Sequence, residues 1–394
     1  MSAPTITDPK DLGQLCDRLR SAEFIGIDTE FVSEDTFYPE LCLIQISTRD
    51  EMAVVDTIAI EDVTEFWKML TEGDHVTVLH AGREELNFML RAVGKAPQKL
   101  FDVQIAAGFC SNEFPSAYGS IVNKFLGIQP AKGEQRTDWQ KRPLTKSQIN
   151  YALEDVRHLL PLYDQLRSML VERDRLAWFE EEMTSWQKEV VDASTRKDWR
   201  RVSGIGKLGP QNLAIIRELW HWRYEEAKRR NRPQRRLLRD DLMVEIAKRK
   251  VDSPDRLMGI RGLERSGAKR NADELAACVR RGLENPVKRD DKRRRKQIPP
   301  QLNLLGQFLA PALASVCRHA EIAASLAGTA SDVRELVAYK MGFVPTDEDN
   351  LPVLAQGWRE ELVGKLIEDL LDGKKSIRIT NAKHADPLAF DDVE

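Results

Sequence analysis

Two carboxylates one residue apart, Asp28 and Glu30, close the apolar run Phe24-Ile25-Gly26-Ile27, which reads as a buried β-strand. Side chains at i and i+2 of a strand share a face, so both carboxylates can point at one spot. Convergent carboxylates repel and cost desolvation energy unless something positive sits between them. A hard divalent cation such as Mg²⁺ or Mn²⁺ answers that need, because it prefers oxygen ligands. An ordinary acidic strand end has the same pattern, and both readings stand on these residues alone. A second pair, Tyr151 and Asp155, lies four residues apart on a predicted helix and therefore on one face. A plain polar helix face is the alternative there.

The elements that must position these groups alternate over the first ~170 residues. After the opening strand, 41–46 and 52–56 read as antiparallel neighbours in a meander, and 62–70 as a helix. A strand at 75–80 and a helix at 83–93 follow, and 100–105 divides between strand and helix start. Thr145 and Gln148 form a capping box for a long helix that Pro161 interrupts. The pattern predicts a mixed sheet covered by helices.

From 180 to 209 the periodicity weakens, and 203–210 reads as a turn or linker. Short helices predicted between 211 and 283 form an all-α domain. A charged tether at 288–300 ends in two prolines, a second all-α unit spans 302–372, and the last ~15 residues read as a disordered tail.

Composition sets outer limits. The 394 residues suggest two or three domains, and 42% hydrophobic with 31% charged residues describes a polar globular chain. Neither an apolar leader nor a membrane-length apolar run is present. The five cysteines are widely spaced and include no C-x-x-C pair, which argues for a reducing cytoplasm and against a disulfide framework or zinc site. The net charge of −3 hides an asymmetry: 196–297 carries 31 Lys+Arg against 15 Asp+Glu, a local +16, leaving −19 elsewhere. Such a block is a candidate polyanion-binding surface or a solvated basic face.

Taken in order, the fragments D-T-E-F-V at 28–32, L-I-Q at 43–45, H-A-G at 80–82, R-T-D-W at 136–139 and Y-x-x-x-D at 151–155 resemble the DEDD superfamily of 3′→5′ exonucleases. Within it they resemble the tyrosine-containing branch and the ribonuclease D family. The run Trp220-His221-Trp222-Arg223 and the pair Ser253-Pro254 resemble the helical HRDC domain shared with RecQ-type helicases. The resemblance covers nearly the whole chain. It implies an α/β mixed-sheet, ribonuclease H-like exonuclease domain at 1–175, a bridging segment at 176–209 and a basic HRDC-like domain at 210–287. A charged linker at 288–300, a second HRDC-like domain at 301–375 and a tail at 376–394 would follow.

The same resemblance implies two divalent ions, Mg²⁺ or Mn²⁺, held by Asp28, Glu30, Asp155 and the carboxylate at 85. Tyr151 would hold the attacking water, and being protonated at neutral pH it would orient that water rather than act as a base. The chain departs from the family at one position, Glu85, where the family has Asp; Glu84 precedes it and points about 100° away. Gln45, His80, Arg136 and Trp139 are candidate substrate contacts, with structural roles as the alternative for each. Asp102 reads as a cap or support for the site. The implied activity is metal-dependent 3′→5′ trimming of structured RNA, tRNA precursors foremost, in the cytoplasm, with RNA as partner and neither a membrane nor an obligate protein partner. A 3′→5′ DNA exonuclease and a non-catalytic nucleic-acid-binding protein are the alternatives.

Overall fold

The computed structural model describes residues 4–131, 137–196, 198–263, 269–287, 300–344, 351–384 and 386–393. Arg136 and nearly all of the expected tether at 288–300 lie outside the described residues. The N-terminal elements are β1 (Thr5–Ile6), α1 (Pro9–Leu19), β2 (Phe24–Val32), β3 (Glu40–Ser47), β4 (Met52–Asp56), α2 (Thr64–Glu72), β5 (Val76–Leu79), α3 (Arg83–Val93) and β6 (Lys99–Asp102). Helices α4 (Val103–Cys110), α5 (Tyr118–Leu126), α6 (Lys146–Arg157), α7 (Leu159–Glu172) and α8 (Leu176–Thr195) follow.

The strands form one sheet in the order β1-β4-β3-β2-β5-β6. β3 and β4 are antiparallel, whereas β1 runs parallel to β4, and β5 runs parallel to both β2 and β6. The expected mixed sheet is present, with β2 near its centre. Register sorts its residues by face: Gly26 pairs with Val78, and Val78 with Phe101. That face carries the core with Val156, Leu159, Leu162 and Leu166 of α6 and α7.

Several elements differ from the sequence reading. Residues 176–195, expected as a bridge, form the 20-residue helix α8, whose Phe179, Met183 and Val190 are buried. Its stripe is sparse because Glu, Gln and Thr fill the solvent side. Helices α6 and α7 break at His158, before Pro161. Proline then occupies the first turn of α7, where its missing N–H leaves no bond unmade. The capping box of Thr145 and Gln148 is formed as expected.

Compactness divides the chain into two units, at other places than the boundaries read from sequence. The first comprises Met1–Thr29, Leu43–Ser194 and Arg295–Glu394; the second comprises Glu30–Cys42 and Thr195–Arg294. In the first unit, α14 (Pro300–His319) and α15 (Ala330–Lys340) are reached after the second unit's helices and put Leu309, Leu313, Val333 and Leu336 into the same core as Phe109 and Leu166. The expected tail at 376–394 is instead largely a hairpin, β7 (Lys375–Ile379) paired antiparallel with β8 (Leu388–Asp392). Ion pairs join its strands from Arg378 to Asp391 and from Lys375 to Asp392, so polar residues that read as tail are cross-strand partners.

The second unit is helical: α9 (Pro210–Arg229), α10 (Gln234–Leu237), α11 (Asp240–Arg249), α12 (Pro254–Met258) and α13 (Ala272–Glu284). Its core gathers Ile215, Leu219, Met243, Ile246, Leu275 and Val279. Among the described residues no helix is long and apolar enough to cross a membrane.

Candidate active site

Asp28 stands on β2 and Asp155 near the end of α6, and a side-chain bond fastens that end to the sheet. Ser47 of β3 donates its hydroxyl to the Val156 carbonyl at 2.9 Å, fastening the end of α6 onto the sheet. Gly26 lies beneath it: a Cβ there would meet Ser47 Oγ at 2.5 Å and Leu159 at 3.2 Å. The absence of a side chain two residues before Asp28 is therefore what lets the α6–α7 junction approach the strand.

Tyr118 of α5 joins the α6–α7 junction beside Asp155. Its hydroxyl accepts from the His158 N–H at 3.1 Å and donates to the Glu154 carbonyl at 3.4 Å. Burial holds its proton far more tightly than usual, and the negative charges of Asp155 and Asp28 add to that effect. Asp155 is itself pushed up to about 6 by burial, partly offset by a hydrogen bond from the Tyr151 hydroxyl. The i,i+4 pair on α6 is thus a donor–acceptor pair, with Tyr151 protonated. Glu30 follows Asp28 at the strand's two-residue repeat.

Glu85 is in the first turn of α3 and is 5% exposed. Its carboxylate accepts from the Thr29 hydroxyl at 2.5 Å. Burial pushes it up to about 7, the Thr29 bond opposing and the charges of Asp102 and Glu84 reinforcing. Thr29 and Asp28 alternate across β2, so this bond reaches the strand from the side opposite Asp28. Asp102, 1% exposed, accepts from the N–H groups of Ala81 at 3.2 Å and Gly82 at 2.9 Å, and from Gln104 at 2.8 Å. It caps α4 and clamps the turn that launches α3, the supporting role expected of it.

Of the candidate substrate contacts, His80 and Trp139 have partners of their own. His80 Nε2 lies 3.0 Å from the Ser116 carbonyl, to which Gln104 also donates at 2.9 Å. Trp139, 4% exposed, packs against Tyr151 with ring centroids 6.1 Å apart. Its segment is pinned by Gln148, which donates to Thr137 Oγ1 at 3.0 Å and to the Asp138 carbonyl at 3.3 Å. Gln45 is wholly buried, and neither atom of its amide has a partner among the described residues.

Three contributors escaped sequence reasoning: Tyr118, Thr29 and Arg142. Arg142 grips Asp56 with two bonds of 2.6 and 2.7 Å and holds the Trp139 carbonyl at 2.6 Å, bracing the wall behind Tyr151. Only Thr29 carried a signal, as the hydroxyl between two carboxylates.

Asp28, Glu30 and Asp155 offer oxygen donors only, and burial makes the charge on Asp155 costly, whereas Glu85 is held by Thr29 on the other side of β2. That donor set fits a hard divalent cation. Among the described residues, no three His, Cys, Asp or Glu side chains already surround one point as a metal site would require.

Comparison with known proteins supports the same reading. A family profile described as 3′-5′ exonuclease matches residues 4–171, and one described as HRDC domain matches 212–279. Ribonuclease D of Zymomonas mobilis is 32% identical, covering 97% of both chains. That of Nitrobacter hamburgensis is 31% identical over 96% of this chain and 97% of its own. The crystal structure of Escherichia coli RNase D, described as an exoribonuclease involved in structured RNA processing, superposes with a TM-score of 0.79 at 28% identity. The match covers 95% of this chain and 99% of that one. On the strength of these relatives over nearly its whole length, the chain belongs to the ribonuclease D family of 3′→5′ exoribonucleases.

Proposed function

We propose that this exoribonuclease trims the 3′ ends of structured RNA, tRNA precursors foremost, releasing nucleoside 5′-monophosphates. The observation that carries the reading is the hydrogen bond from the Tyr151 hydroxyl to Asp155 at the end of α6, an end that Ser47 fastens onto the sheet carrying Asp28. Asp28, Glu30 and Asp155, with Glu85 in support, would hold two divalent ions, Mg²⁺ or Mn²⁺. Bound there, the ions supply a water of lowered pKa and neutralise charge on the attacking and leaving oxygens. Tyr151 keeps its phenolic proton, donates it to Asp155 and fixes the direction from which water meets the terminal phosphodiester. Asp102 and Thr29 position Glu85, while Trp139 and Arg142 hold Tyr151 in place. The basic domain at 210–287 would hold the RNA body through phosphate contacts, without reading sequence.

The test is degradation of a 3′-labelled tRNA precursor, and of the matching DNA strand, with and without Mg²⁺ or Mn²⁺. Stepwise 3′ trimming of RNA that requires the metal and is lost in Asp28→Asn and Asp155→Asn, with RNA binding retained, is expected. Mutants trimming near the wild-type rate would refute the two-metal assignment, and equal cutting of DNA would refute the RNA assignment.

A further inference from the structure

The second unit contains a cavity of about 400 Å³ that the reaction does not use. Its walls include Thr36, Phe37, Arg201, Trp220, Arg223 and Arg235. Two of these carry buried polar atoms without partners among the described residues, Arg223 Nε and Thr36 Oγ1. The remainder of the Arg223 guanidinium is well held: Nη1 donates to the Leu238 carbonyl at 2.9 Å and to Asp240 at 2.6 Å, and the residue is 4% exposed. A buried donor left unmade destabilises a fold, so an orphaned Nε on a residue of the cavity wall calls for an acceptor.

Charge points the same way. Three guanidinium groups line the cavity against one carboxylate, Asp240, which is already engaged by Arg223, by the Ser203 N–H at 3.2 Å and by Arg235 at 3.5 Å. The site therefore favours an anion. The aromatic wall is ordered: Trp220 stacks on Tyr224 at 5.2 Å, and Phe37 meets the same ring edge-on at 5.3 Å. A planar or sugar-like group beside the anion would find an apolar surface there. Thr36 and Phe37 also lie in the segment that continues from Glu30.

We propose that this cavity binds one backbone phosphate of the single-stranded RNA substrate. Arg223 Nε and Thr36 Oγ1 donate to its oxygens, Arg201 and Arg235 supply charge, and Phe37 backs the adjoining sugar or base. The inference rests on the RNA-trimming reading above. Arg–phosphate recognition of this kind adds strength and direction that lysine alone would not.

The experiment uses the full chain carrying Asp28→Asn, so that RNA is bound and not consumed. A single-stranded RNA containing 4-thiouridine is photocrosslinked and the attachment mapped by mass spectrometry, while affinity is measured across a salt series. Attachment to a peptide containing Phe37 or Trp220 is expected. In Thr36→Val/Arg201→Ala/Arg235→Ala it should fall several-fold, and the slope of log affinity against log salt should drop by about 0.7 for the lost phosphate. The conservative set Thr36→Ser/Arg201→Lys/Arg235→Lys should retain most of the attachment, which a merely misfolded site would not. RNA that binds without attachment to these peptides, or attachment and slope unchanged in the triple variant, overturns the proposal. Inorganic phosphate that protects the site while RNA never attaches there makes it a free-anion site and overturns the RNA assignment. Trimming by the wild-type chain is followed in parallel. Attachment without trimming refutes the exonuclease reading alone, and trimming without attachment refutes the cavity alone.

Discussion

Thr29 donates its hydroxyl to Glu85 at 2.5 Å, one residue beyond Asp28 on the same strand. The bond anchors the Glu85 carboxylate, and it does so from behind the strand that carries Asp28 and Glu30. Glu85→Asp withdraws the carboxylate by about 1.5 Å, a carbon–carbon bond length, and breaks the bond. Glu85→Gln keeps an oxygen for Thr29 and removes only the charge. Both variants are expected to need several-fold more Mg²⁺ or Mn²⁺ for half-maximal trimming, and Thr29→Val somewhat more than wild type. Rates titrated against each metal decide it. If Glu85→Gln matched wild type at limiting metal, Glu85 would not serve the metal at all.

Tyr151→Phe removes the hydroxyl that donates to Asp155 and leaves the ring against Trp139. The packing should survive, so KM for RNA is expected to stay within about twofold, well inside the ~10²-fold loss of kcat expected when the attacking water is misplaced. Steady-state kinetics on a short labelled oligonucleotide separate the two. A variant whose loss fell in KM alone would place Tyr151 in substrate binding.

The ion pair of Arg142 and Asp56 offers a test in pH. Burial pushes the Asp56 carboxyl up, but the Arg142 guanidinium and the N–H groups of Ala59 and Ile58 more than offset it, and it is held below its ordinary value. The unfolded chain therefore takes up this proton first as the solution is acidified. The stabilisation is complete above about pH 4, the ordinary carboxyl value, and is lost as pH falls through the lower folded value. Arg142→Ala is expected to cost about 3 kcal/mol at pH 7, because it strands a charge that is 5% exposed. That difference should shrink as pH falls and close only below the lowered folded value, once Asp56 is neutral in both chains. Melting curves of the two proteins between pH 7 and 3 measure it, and a gap constant with pH would show that Arg142 acts through packing alone.

What the sequence showed of the site was its polar ends. Asp28, Glu30, Tyr151 and Asp155 are legible because their spacing has a geometric meaning, two in a strand and four in a helix. The capping box at Thr145 and the support role of Asp102 are local for the same reason. Thr29 to Glu85, Asp56 to Arg142 and Ser47 to Val156 join residues 56, 86 and 109 positions apart, and no period encodes such distances. Helix α8 was hidden by its sparse apolar stripe. The hairpin at 375–392 was hidden because short polar strands gain their identity from cross-strand pairs.

Gly26→Ala places a methyl group 2.5 Å from Ser47 Oγ and 3.2 Å from Leu159. Ser47 can rotate away only by giving up the Val156 carbonyl, so the end of α6 must shift and carry Asp155 with it. Overpacking of this kind costs about 1–3 kcal/mol. Trimming should fall more than tenfold at a temperature where the variant remains folded by circular dichroism. Retained activity would mean that the α6–α7 junction tolerates displacement and does not set the separation of Asp28 and Asp155.

Trp358 decides what a truncation can report. It is wholly buried, its ring lies 4.8 Å from Phe109, and its indole N–H donates to Glu182 at 3.0 Å. Arg359 grips the same carboxylate at 2.7 and 2.9 Å, and the Ala323 N–H donates to the Gly108 carbonyl at 2.8 Å. Helices after residue 300 thus complete the core around α4 and α8, and removing everything beyond Gln211 to test RNA binding would also strip that core. A chain ending at 299 should expose it, bind a hydrophobic dye and lose its cooperative melt. It should then fail to trim even a short single-stranded oligonucleotide that needs no RNA platform. Trp358→Ala is expected to cost about 3–5 kcal/mol, from the lost burial of a large ring and the cavity left behind. It should lower the melting temperature in proportion while the rate at 15 °C stays near wild type, since Trp358 touches no reacting group. A chain ending at 299 that melted and trimmed like the full one would show that the exonuclease core is complete without these helices.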